Sequence, residues 1–175
     1  MKQVFSHASP DPLPSSPIAF EIAMAKVPPA ETELIHLEFD ELGSFEPVQE
    51  QFWDQGVRFE GAIALQPSNP AFQASTNTPS VMPMTGRSNI TVHFRQPRQT
   101  VGAVITAPRQ ITVTAFDRDD NLLGQQRAGS PKYLQQKAEQ TETFPRHCLE
   151  LLAEGAVKIV LSSTAPFILQ EFFYG

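Results

Sequence analysis

The chain has 175 residues, 41% of them hydrophobic and 18% charged, and a formal net charge of −6. That length suits one domain, or one domain with an arm, and the composition supplies a real core, which excludes wholesale disorder. The acidic balance argues against the basic stripe a nucleic-acid binder needs, the single cysteine excludes an internal disulfide framework, and no apolar run approaches the ~18 residues of a membrane-spanning helix.

Residues 1–32 carry prolines at 10, 12, 14, 17, 28 and 29. Proline fixes φ and removes a donor, so the segment reads as a Pro-rich arm, not a long helix or central strand. Ile18, Phe20, Ile22 and Met24 alternate within it, as a short docking strand would. No continuous apolar stretch reads as a secretory signal, so the expected location is cytoplasmic, or exported if a leader has been removed.

From residue 34 the period is two. Residues 34–40 place Ile35, Leu37 and Phe39 on one face and His36, Glu38 and Asp40 on the other. Residues 89–95 repeat this with Ile90, Val92 and Phe94, and residues 110–116 with Ile111, Val113 and Ala115. Residues 101–106, 157–162 and 167–174 complete the strand signals. Alternation of this kind buries one face of a sheet. The runs are separated by turn-forming residues, so the expected fold is all-β, a two-sheet jelly-roll-like sandwich over 33–175. One or two short helices are expected, at 47–55 before Gly56 and at 131–140. Residues 66–89 read as a long polar loop.

The stretch FDELGSFEPVQEQFWDQGVRFEGAIAL resembles the opening of a β-sandwich module of bacterial and cyanobacterial proteins that carry PEP-type sorting tails. ITVTAFDRDDNLLGQ is similar to its central hairpin and FILQEFFYG to its closing strand. The resemblance covers about residues 34–175 and points to galactose-binding-like jelly rolls, mostly non-catalytic binders. The sorting tail itself is missing from this sequence. The resemblance implies a structural calcium between first and last strands, and the matching positions are Asp40, Glu41, Gln170 and Glu171. Gln170 stands where related modules show an Asp, and a lost carboxylate weakens a Ca²⁺ site.

Asp117, Asp119, Asp120 and Asn121 have a spacing that superficially suggests a second calcium loop, but no glycine sits at the bend. Asx residues make hairpin turns by bonding nearby backbone, and a turn is expected there. None of His7, His36, His93 and His147 has helical zinc spacing; His36 and His93 share the polar phase of two strands. His147 and Cys148 are neighbours whose side chains point to opposite faces, so they are not a nucleophile pair, and Cys148 reads as a small buried hydrophobe. Trp53 follows Phe52, and on a helical turn one of the two faces outward; Trp53 reads either as a core anchor or as a presented ring. Tyr133 is a second ring for a ligand or partner, and Phe172 and Tyr174 are expected as an exposed patch if the last strand is an edge.

The functional expectation is a non-catalytic binding module contacting a protein partner, through Trp53, Tyr133, Phe172, Tyr174 and Phe20. The alternatives are a carbohydrate-binding domain, which requires Trp53 or Tyr133 accessible beside polar side chains, and a small enzyme built on the sandwich.

Overall fold

The computed structural model describes residues 33–72, 78–130 and 143–175. Chain contacts divide the protein after Glu31, and all described residues fall in the unit Thr32–Gly175. The Pro-rich arm with Phe20, and the segment 131–140 with Tyr133, lie outside the described residues.

Among the described residues ten antiparallel strands build the fold: β1 Ile35–Leu37, β2 Glu46–Val48, β3 Val57–Glu60, β4 Ala62–Leu65, β5 Ser80–Pro83, β6 Asn89–Thr106, β7 Ile111–Phe116, β8 Leu122–Ala128, β9 Arg146–Ser163 and β10 Ile168–Tyr174. They pair in the order β2-β4-β5-β10-β6-β9-β7-β8, with β1 on β10 and β3 on β6. The two 18-residue strands, β6 and β9, make this network a sandwich. The first half of β6 pairs with β3 and with the end of β9, and its second half pairs with β10 and with the start of β9. Their mutual register shifts between His93 and Arg98 and again between Arg98 and Thr100. Pro97, which has no N–H to donate, sits in the first gap, and Gly155 turns β9 at φ 89 in the facing stretch. Both strands thereby pass from one layer to the other.

Between the layers lies a single apolar core that includes Leu37, Val92, Val113, Ile159 and Leu169. Its centre is aromatic: Phe59 of β3 and Phe94 of β6 meet Phe172 of β10 at centroid distances of 6.0 and 6.2 Å. The expected alternation holds for Val92, Val113 and Ile159, which are buried, whereas Ile35 at the start of β1 is 39% exposed. It lies where β1 begins, so little chain covers it.

Several expectations need correction. Residues 89–95 and 101–106 are one strand, because a bulge around Pro97 breaks the pairing without ending the element. Residues 66–89 are not a continuous loop, since β5 pairs there with β4 and β10. Residues 47–55 begin in the edge strand β2 and end in one 3-10 turn, Trp53–Gln55. Cys148 is exposed, since it shares the outward phase of β9 with Arg146 and Glu150.

His147, on the other phase of β9, is half-buried, and its Nε2 finds no hydrogen-bond partner. Desolvation holds its pKa below the ordinary value of 6.5. On acidification the unfolded chain therefore takes up this proton first, and stability falls as pH drops below 6.5 toward the folded value. The expected result is a urea midpoint that declines more steeply between about pH 7.5 and 5.5 in the wild type than in His147→Gln. Equal slopes would contradict this account.

Candidate functional site

The turn that carries Trp53 is held from several sides. Trp53 N–H donates to the Glu50 carbonyl at 2.9 Å, Gln55 N–H and Val57 N–H to that of Phe52, and Gly56 N–H to that of Trp53. Gly56 takes φ 80, a left-handed value that a side chain would strain. The Gly56 carbonyl accepts from Arg95 N–H at 2.8 Å, and the Gln55 carbonyl accepts from the Tyr174 hydroxyl at 2.6 Å. Phe52 is the inward member of the pair: it packs edge-on against Phe39 and Phe59, each at 5.8 Å. Trp53 is the outward member, 43% exposed. The core-anchor alternative for Trp53 thus belongs to Phe52.

Two guanidinium groups that sequence reading missed lie against this turn. Arg95 lies over the Trp53 ring at 5.5 Å from its centroid, and Arg98 over the Tyr174 ring at 4.6 Å. A β-carbon placed on Gly56 would make ordinary contact with Arg98 Nη2 at 3.5 Å and Arg95 Cβ at 3.6 Å, so both side chains lie against the turn. Among the described residues neither arginine has a carboxylate within ion-pair distance, and Arg98 Nε is buried without a hydrogen-bond partner. The signal in the sequence was Arg95-Gln-Pro-Arg98, two cations around a proline in an acidic chain.

Phe172 and Tyr174 are not an exposed patch. β10 is an interior strand, with β6 on one side and β1 and β5 on the other, so its inward phase is the centre of the core. Both residues are fully buried. Burial raises the Tyr174 pKa, and the Arg98 charge opposes the rise. Phe173, on the opposite phase, stacks on His36 at 5.0 Å. His93 has a different neighbour, Glu60, at 3.6 Å, so the two strand histidines do not meet.

The four calcium candidates are only partly assembled. Asp40, Gln170 and Glu171 border one depression of about 540 Å³, while Glu41 borders another. Glu171 is ion-paired to Arg146 at 2.7 Å, and the Gln170 side-chain oxygen accepts from the Thr106 hydroxyl at 2.9 Å. Among the described residues no group of three or more His, Cys, Asp or Glu side chains could hold a metal ion. At the other hairpin the turn reading holds: the Asp117 carboxylate accepts from the N–H groups of Asp119 and Asn121 and from the Asn121 amide, which lowers its pKa, and Asp120 takes φ 62.

An apolar depression of about 400 Å³ lies on the outer side of β4 and β5, bordered by Phe45, Ile63, Leu65, Met82 and Met84. Phe45 is 74% exposed and adopts φ 63, a costly conformation for a bulky residue. Its N–H is tied to the Ala64 carbonyl at 2.7 Å, which holds the strained residue at the rim.

No family model matches the chain, and no curated protein matches it in sequence. Among solved structures it is similar to a family 6 carbohydrate-binding module, at 13% identity and a TM-score of 0.39, over 81% of this chain and 92% of that one. A second family 6 module, from Clostridium stercorarium in complex with cellobiose, matches at 11% identity and 0.42, over 81% and 92%. A family 29 carbohydrate-binding module from Piromyces equi matches at 8% identity and 0.43, over 81% and 89%. At these identities and scores, what the site binds has to be argued from this chain's own side chains.

Proposed function

We propose that the protein is a non-catalytic binding module whose ligand is a carbohydrate, taken up on the Trp53 ring. The observation that carries this reading is a half-exposed indole on a backbone turn held by the core, beside polar side chains. A pyranose presents C–H groups on its faces and hydroxyls around its rim. A Trp face matches the first, and guanidinium N–H groups match the second. The turn is ordered before binding by the Tyr174 and Arg95 hydrogen bonds, so little entropy is lost on docking. Membership of the galactose-binding-like jelly rolls is part of this proposal and rests on the motif resemblance over residues 34–175.

Affinity electrophoresis in gels containing soluble cellulose, xylan or pectin tests it. The wild type is expected to be retarded by at least one polysaccharide, and Trp53→Ala to lose about tenfold or more in affinity, about 1.4 kcal/mol. Unretarded migration in all gels, or equal retardation of the variant, would overturn the reading.

A protein partner remains the second reading, favoured by one observation. Leu122 and Leu123 on the end strand β8 are exposed, as is Leu152 of β9. Apolar side chains on a sheet edge suit a protein contact.

A further inference from the structure

We infer that the Trp53 site selects acidic sugars: a uronate ring would stack on the indole and place its carboxylate against Arg95 and Arg98. This inference rests on the carbohydrate reading and goes beyond it by naming the ligand class. In a chain with a net charge of −6, three described Lys or Arg side chains are ion-paired: Arg87 with Glu60, Arg146 with Glu171 and Lys158 with Asp120. Among the described residues Arg95 and Arg98 have no such carboxylate, although Asp54 sits on the same turn as Trp53. Both guanidiniums rest on aromatic faces instead, Arg95 on Trp53 and Arg98 on Tyr174. A guanidinium stacked on a ring keeps its N–H fork at the ring's edge, free to accept a carboxylate in two-point fashion. Both side chains reach the turn at Gly56, where an added β-carbon would lie 3.5 Å from Arg98 Nη2 and 3.6 Å from Arg95 Cβ. A neutral glycan would accept hydrogen bonds from these groups but leave their charge unmatched.

Trp53 is the only tryptophan, so intrinsic fluorescence reports on the site alone. The full chain is titrated with oligogalacturonate, with cellohexaose and with an oligoglutamate peptide, at about 50 and about 500 mM salt. The expected result is binding of oligogalacturonate about tenfold or more tighter than cellohexaose, weakened by salt. Arg95→Gln, and separately Arg98→Gln, are expected to lower oligogalacturonate affinity about tenfold more than cellohexaose affinity, which removes that preference. Arg95 is exposed, so its variant keeps the test valid if Arg98→Gln unfolds. Equal binding of the two glycans would overturn the acidic-sugar inference and leave the carbohydrate reading standing. No response to either glycan would overturn both. Oligoglutamate binding as tight as oligogalacturonate would overturn the inference in favour of an acidic peptide.

Discussion

Phe172→Ala is expected to cost about 3–5 kcal/mol of folding stability, a large fraction of the roughly 5–15 kcal/mol typical of a native domain. Phe172 is fully buried and joins the two layers: its ring centroid is 6.0 Å from that of Phe59, 6.2 Å from Phe94 and 6.4 Å from Tyr174. Truncation removes the transfer energy of the ring and leaves a cavity that is hard to close, because β6 and β10 are pinned by pairing on both sides. The consequence reaches the site. Tyr174, two residues on, holds the Trp53 turn through its bond to the Gln55 carbonyl. Urea unfolding checks the prediction, as a lowered midpoint with an unchanged slope. A loss under about 1 kcal/mol would mean that the aromatic centre does not join the layers as described.

Gly102→Ala is the second large effect, at the upper end of the roughly 1–3 kcal/mol of an overpacked site. Gly102 of β6 faces Phe173 of β10 in register, and the ring lies across its α-carbon. An added β-carbon would fall 2.0 Å from two ring atoms of Phe173, so the ring has to leave. That movement also breaks the stack with His36 on β1. The cause is testable by a double-mutant cycle. In a Phe173→Ala background the cost of Gly102→Ala is expected to fall below about 0.5 kcal/mol. An undiminished cost would locate the strain elsewhere.

Much of this was legible in the chain. Period-two runs identified the strands, because alternation is a local property of a pleated backbone with one wet face. The Asp117 turn was legible for the same reason: its bonds reach only to residues 119 and 121. Strand ends were harder to read. Pro97 looks like a terminator, yet β6 and β9 run through it as a bulge, because pairing resumes beyond it with different partners. Ser80–Pro83 hid in a polar stretch because β5 is short and gains its burial from β4 and β10.

Tertiary structure alone decided which apolar phase became a surface. The sequence put Phe172 and Tyr174 on one side of the last strand, but only its place between β6 and β1 turned that side inward. Likewise, Phe52 and Trp53 had to point different ways on one turn, and the Phe39–Phe59 cluster chose Phe52 for the core. The meeting of Arg95 with Trp53, some forty residues earlier, follows from the pairing of β3 with β6. Local periodicity thus determined an all-β chain with two-faced strands. The order of the strands, set by contacts between residues far apart in sequence, determined which of those faces meets solvent and therefore where a ligand can be held.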